Sequence, residues 1–438
     1  MHIFDILNMA KRGFFLSPCF YLFSYISNRG YPFWAIIRGS LGGNVMDIFG
    51  YLDKFGKYSF EELPFGETDS LIFSQLSYLK FEYGFSALCE GDEYVELTRF
   101  AHLSDKTLLS HGTSDPVRYG EFWLKILESP RFSSLKIGHI ESVFSVDRCI
   151  QYMSMTFVGK GPMRYIVFRG TDGSLVGWKE DCNLATMKEI PSQKLAKEYV
   201  TKIVKHRLFP FTIIGHSKGG NLAMYATLMM KRRYYLRFKG CYCHDGPGFQ
   251  DTKVFNKKAL EKLTPKIYKV VPGESLIGLL LNQVCSYRVI SANEKASFFQ
   301  HSIFKWDLDD ETGDLIELER NSNASKTKQT MFANWLGSLS KKEMTQMTEC
   351  LFEILQAKDR KTIYEVMALG KLDLGITLIK SWMKYDEETR KTLKKNLFSA
   401  FTYYKAAKEE IAASYGPKKE PKTKKKGFSF FKKKKTDK

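Results

Sequence analysis

Ser217 stands in the run Gly215-His216-Ser217-Lys218-Gly219-Gly220, a G-x-S-x-G pattern between an apolar run, Phe211 to Gly215, and a helical stretch, Asn221 to Tyr235. A serine hydroxyl becomes a useful nucleophile when it projects from a sharp strand-to-helix turn, and flanking glycines remove the Cβ atoms that would collide with backbone there. The pattern alone is common; a strand before it and a helix after it give it weight. The chemistry implied is acyl transfer through a covalent intermediate. The helix after Ser217 would offer an oxyanion the Lys218 backbone N–H and a positive dipole end. A second donor must come from an earlier loop, and Arg169-Gly170-Thr171-Asp172, just after a strand-like run, supplies the backbone or hydroxyl of Thr171.

A general base is expected after the last strand in chain order, which favours His301, beyond the run ending at Ile290. His216 adjoins the nucleophile on a strained turn and is better placed to pack. His244 ends a strand, and His206 precedes the nucleophile strand as a surface residue. The acid must hold the imidazole's tautomer from a strand end at the same sheet edge. Asp245 follows the strand-like run Gly240 to His244 and is preferred; Glu274, after Ile267 to Val271, is the alternative. Asp172 and Asp181 read as carboxylates that order the loop near the oxyanion site.

These residues need a sheet with crossover helices, and residues 139 to 320 alternate in that manner. Val143 to Phe157 and Met163 to Phe168 read as strands of a hairpin turning at Gly159-Lys160-Gly161-Pro162. Residues 192 to 206 read as a helix, then come the strand and helix around Ser217. A helix near 254 to 263, a short one near 275 to 282 and a strand at Tyr287 to Ile290 follow. The fold class expected is α/β, an α/β-hydrolase-like, mainly parallel sheet with helices on both faces. Upstream, residues 46 to 138 read as helical, with a cap at Thr68 or Asp69. Residues 321 to 415 read as all-helical, with starts near Ser340, Lys361 and Asp386, and serve as a lid or a partner surface. Residues 416 to 438 read as a disordered polybasic tail.

Several runs together carry a family resemblance. Ile166 to Thr171, Trp178 with Asp181, and Gly215 to Gly220 resemble the class three lipase pattern of a V-F-R-G-T strand end, a W-x-x-D loop and a G-H-S-L-G-G turn. A closer resemblance is to the Mbeg1-like family of uncharacterised lipase-like proteins. It rests on G-W-K-E-D-C-N at 177 to 183, H-S-K-G-G-N-L-A at 216 to 223, D-G-P-G-F at 245 to 249, and Gln300-His301. The resemblance spans Asp47 to Trp306 and implies an α/β-hydrolase core with Thr171 and Lys218 at the oxyanion hole. It also agrees with His301 as base. Lys218 replaces the lipase leucine, and a charged side chain there is expected to alter the substrate.

The chain of 438 residues is 44% apolar, which suits a large folded core. Its formal charge of +19 is concentrated at one end: Lys418 to Lys438 holds eleven lysines against Glu420 and Asp437. Lysine blocks there surround Gly427-Phe428-Ser429-Phe430-Phe431 and resemble the basic-aromatic segment of MARCKS-type proteins. An anionic membrane surface is the partner expected, with nucleic acid less favoured. A phosphate on Ser429 would weaken such adsorption. The eight cysteines show no paired spacing and read as reduced, which suits a cytoplasmic protein, peripheral on the inner membrane face. Residues 1 to 45 contain an apolar stretch, Phe14 to Ile26, broken by Pro18. It is too short to span a bilayer and lacks a cleavage site, so it reads as an extension or an over-long start before Met46.

The function expected is a serine esterase or lipase without metal or organic cofactor, acting on carboxylic esters such as acyl lipids. The rival classes are a hydrolase-fold binding module with a weak or absent triad, and an acyltransferase or thioesterase.

Overall fold

The computed structural model describes residues 45–415 except 103–107, 206, 296 and 370. The N-terminal extension (Val45 apart), His206 and the polybasic tail with Ser429 lie outside them.

Nine strands form the main sheet in the order β11-β9-β8-β7-β6-β5-β4-β3-β2. They are β2 (Tyr94–Glu96), β3 (Lys136–Ser145), β4 (Ile150–Val158), β5 (Arg164–Phe168), β6 (Phe211–His216), β7 (Phe238–His244), β8 (Ile267–Pro272), β9 (Arg288–Ile290) and β11 (Glu317–Leu318). A two-residue strand β1 (Val45–Met46) pairs apart from them with β10 (Leu308–Asp309). The sheet is mixed: β5 to β9 run parallel, while β2 to β5 and the β9–β11 pair are antiparallel. Every residue of β4 and β6 is buried, as strands covered on both faces require.

The two-residue period of β5 divides the core. Tyr165 and Val167 point to a layer with Leu71, Phe73, Leu76 and Phe122 from the upstream helices. Ile166 and Phe168 point to the other, with Tyr199, Leu222 and Tyr225 from helices Pro191–Val204 and Lys218–Leu228. A fully buried pair braces the upstream layer: Arg131 donates to both oxygens of Asp69 at 2.7 and 2.6 Å. Asp69 also accepts the Gly66 N–H, so the helix Glu67–Leu76 is capped from Gly66 and Asp69 lies within its first turn.

Several boundaries differ from the sequence reading. The sheet begins well before residue 139, because β2 and the start of β3 precede it. The expected strand Val143 to Phe157 is two strands, β3 and β4, separated by a turn in which Cys149 has φ +52°. Instead of a helix over 275 to 282 there is a single tight turn, Ile277–Leu279. Gly278 explains this, because its N–H donates to the Asp245 carboxylate at 3.0 Å and its carbonyl accepts from Lys269 Nζ at 2.7 Å. Both groups are thereby withdrawn from any helical ladder.

The C-terminal region is helical: Asn323–Ser338, Lys341–Gln356, Ile363–Met367, Lys371–Lys384 and Glu387–Tyr415. Ser340 with Glu343, and Thr362 with Glu365, form reciprocal caps at two of the starts. These helices dock on the loops after β5 and β8. Ile363 N–H reaches Gly173 O, Leu175 N–H reaches Lys361 O, and Ser325 Oγ donates to Ser275 O at 2.6 Å. No described helix is long and apolar enough to cross a membrane.

Candidate active site

Ser217 occupies the single residue between β6 and the helix Lys218–Leu228, with φ 57° and ψ −131°. A non-glycine residue holds that conformation only where its surroundings enforce it. Here they do. The Ser217 N–H donates to His244 O at 2.9 Å, and its carbonyl accepts from Gly220 N–H at 2.9 Å. A Cβ on Gly215 would fall 2.1 Å from Gly219 O, and one on Gly219 would fall 2.2 Å from Phe168 O. Both glycines are required by close backbone approach.

Asp245 continues the strand beside it. Parallel register pairs Gly215 with Cys243 and His216 with His244, so Ser217 and Asp245 leave the sheet at one edge on adjacent strands. Asp245 turns with φ +47°. Its Oδ2 lies 2.6 Å from His301 Nδ1, and its Oδ1 accepts from Ser275 Oγ at 2.5 Å and from Gly278 N–H at 3.0 Å. Glu274 is tied here through its backbone, its N–H donating to Gln300 Oε1 at 2.8 Å and its carbonyl accepting from Ser297 Oγ, and among the described residues its carboxylate makes no hydrogen bond to His301. With Nδ1 engaged by a carboxylate, His301 presents Nε2 as a proton acceptor.

His216 fixes the backbone of His301. Its Nε2 lies 2.8 Å from His301 O, which can only accept, so Nε2 carries the proton and Nδ1 accepts from Tyr78 Oη at 2.9 Å. Burial holds His216 well below the ordinary histidine pKa, and so neutral. Burial likewise pushes His244 down to about 3; both its ring nitrogens contact serines, Ser70 at 2.9 Å and Ser74 at 2.8 Å. Neither imidazole is free to serve Ser217. Ser217 and His301 line one cavity, and no hydrogen bond joins them among the described residues.

On the opposite side, Thr171 Oγ1 donates to Asp181 Oδ2 at 2.6 Å. Its proton is spent there, so an oxyanion would receive the Thr171 backbone N–H rather than the hydroxyl. Asp172 accepts the Ser174 N–H at 2.9 Å and orders the same loop. Burial pushes the Asp181 carboxyl up to about 6, opposed by nearby Lys218. Lys218 begins its helix, where the first N–H groups lack intrahelical acceptors. Its side chain corrects the sequence reading: the ammonium is not offered to substrate. It is buried against Gln151 O and Oε1, both at 2.7 Å, and Glu180 Oε2 at 3.0 Å. Burial pulls its pKa down, but Glu180 and Asp181 outweigh that and hold it above the ordinary lysine value.

The shared cavity has a volume of about 590 Å³, within the range of small-molecule sites. The C-terminal helices supply much of its apolar wall, including Trp335, Leu339, Met347 and Leu351. Sequence reasoning offered the helical region as a lid or a partner surface but named none of these wall residues, and it missed Tyr78, Ser275 and the Gln151–Glu180 support of Lys218. Only Glu180 had a local signal, since it adjoins Asp181 in the W-x-x-D loop.

No curated protein matches the sequence. The family model described as Mbeg1-like matches residues 126–353, just over half of the chain and including β3 to β9 with Ser217, Asp245 and His301, so the protein belongs to the Mbeg1-like family.

Proposed function

We propose that the protein is a serine hydrolase of the α/β-hydrolase, lipase-like kind that cleaves carboxylic esters of apolar acyl groups. The observation that carries this reading is the 2.6 Å contact between Asp245 and His301, at the sheet edge where Ser217 is held in a strained turn. Ser217 Oγ attacks the ester carbonyl while its proton passes to His301 Nε2. The Lys218 and Thr171 N–H groups take the negative charge that develops on the carbonyl oxygen. Collapse breaks the ester C–O bond, and His301 returns the proton to the departing alcohol. Water, deprotonated by His301, then releases the acid and restores Ser217. Beyond the ester and water, each of these steps uses side chains and backbone of this chain. The apolar wall suits an acyl chain, and the tail Lys418 to Lys438 would hold the enzyme near an anionic membrane.

Labelling with a fluorophosphonate probe tests the reading. Wild type and Glu274→Gln should label; Ser217→Ala should not. His301→Ala and Asp245→Asn should label at least about 10³-fold more slowly, as loss of a base or of its orienting acid does elsewhere. A wild type that fails to label under native conditions sinks the hydrolase. A second reading, a binding module without catalysis, draws on the missing Ser217–His301 hydrogen bond, and that result would favour it. Among labelling outcomes, product analysis with alternative acyl acceptors separates hydrolysis from transfer.

A further inference from the structure

The sheet has two ends, and the site uses one. At the other, the register pairs Arg164 with Phe211 and Phe211 with Phe238, so β5, β6 and β7 begin side by side. The segments leading into them therefore share one edge: the hairpin at 159–164, residues 205 and 207–210, and the segment 231–239. Direct contacts tie them together. Arg164 N–H donates to Pro210 O at 3.0 Å, Phe211 N–H to Arg237 O at 3.0 Å, and Arg237 Nη2 to Val204 O at 3.2 Å.

These three segments contain nine lysines and arginines and no carboxylate. The nearest acid, Glu93, is engaged by Arg207 at 2.6 Å and His139 at 2.7 Å. Lys205, Lys231, Arg232 and Lys239 are exposed and make no ion pair among the described residues. Two leucines project among these charges, Leu208 with 91% and Leu236 with 92% of their surface exposed. They are the two most exposed of the large apolar side chains described, and their place beside unpaired cations suits a surface that meets something apolar beneath something anionic.

We infer that this edge seats on an anionic lipid surface, with Leu208 and Leu236 entering the headgroup layer and the surrounding cations meeting lipid phosphates and carboxylates. Leucines decide between the polyanions. A nucleic acid offers phosphates to the cations, but its single-strand readers rely on aromatic stacking, which aliphatic side chains do not provide. The surface is independent of the proposed hydrolase and distinct from the polybasic tail. β6 is six residues long, so the two edges stand about 20 Å apart. A protein seated this way turns the Ser217 cavity away from the lipid that holds it.

The test is co-sedimentation of the full chain with vesicles of phosphatidylcholine alone or with phosphatidylserine, at low and physiological salt. To separate the tail, all eleven lysines from Lys418 to Lys438 are first changed to glutamine. That protein should still bind phosphatidylserine vesicles, more weakly at higher salt. In the same background Arg232→Gln/Arg233→Gln should weaken binding at least tenfold, since each basic residue near an anionic leaflet strengthens adsorption about fivefold. Leu208→Ser/Leu236→Ser should weaken it about tenfold with no change in melting temperature, both side chains being exposed. Binding that vanishes with the tail lysines, or that ignores both pairs, overturns the proposal. So does a single-stranded oligonucleotide that binds through the arginines and is indifferent to the leucines.

Discussion

Lys218 shows how far a side chain can depart from what its position suggests. Next to a nucleophile, a lysine reads as a substrate contact; in the structure it is a buried brace joined to Glu180 and Gln151. Breaking one side of such a pair leaves an unpartnered buried charge. Lys218→Met or Glu180→Leu alone should therefore cost about 3–5 kcal/mol in urea unfolding, and the double apolar replacement should cost less than the sum. Additive losses would mean that the pair is not coupled. Asp181 yields a pH prediction. Its folded pKa is raised to about 6 from an ordinary 3.8, so the native state binds more protons between those values. Stability from this group is fully present below about 4 and is lost as pH rises through 6. Asp181→Asn, which cannot ionise, should raise the melting temperature at pH 7.5 relative to wild type more than at pH 4.5. An equal effect at both would refute the assignment. The elbow was legible in the sequence because glycine spacing reports backbone crowding directly. The choice of Asp245 over Glu274 depends on a positive φ and on Ser275 and Gly278 holding one carboxylate oxygen, and no local pattern encodes that.

The helices show a second limit. The sequence placed starts of C-terminal helices near Ser340, Lys361 and Asp386, where caps form at Ser340, Thr362 and Asp386, whereas the surface against which a helix docks is set by long-range contacts. The helices Asn323–Ser338 and Lys341–Gln356 place Trp335 and Met347 in the cavity wall, so in the proposed hydrolase they would set the room available to an acyl chain. Met347→Trp should leave short-chain ester cleavage within about twofold and reduce long-chain cleavage at least tenfold, comparing kcat/KM across a chain-length series. Uniform loss across the series would remove the wall from substrate selection. A strand was legible where a short apolar run is buried on both faces and ends in glycine, as in β6. The reading failed at Val143 to Phe157, because a tight turn inside an apolar run leaves the alternation almost unchanged.

The molecule as a whole divides its apolar contacts unevenly. Two large clusters flank the sheet, while the C-terminal helices rest on smaller ones, Leu175 with Phe352 and Val366, and Leu276 with Phe332 and Trp335. Small clusters open at lower free energy than the global fold. Amide exchange should therefore be faster by at least tenfold across Ile363–Met367 and Glu387–Tyr415 than in β4 to β7, measured by mass spectrometry. Matching rates would make the C-terminal helices part of one cooperative unit with the sheet.

Ser217 and Asp245 emerge from neighbouring strands whose ladder registers them to each other, whereas His301 arrives on a separate loop after a four-residue helix, Ser297–Gln300. Two legs of the tripod thus stand on bedrock and the third on a jetty. In the proposed hydrolase a small displacement suffices to disarm the site. It need only shift the carbonyl that His216 grips, and the tripod loses its third leg without any strand giving way.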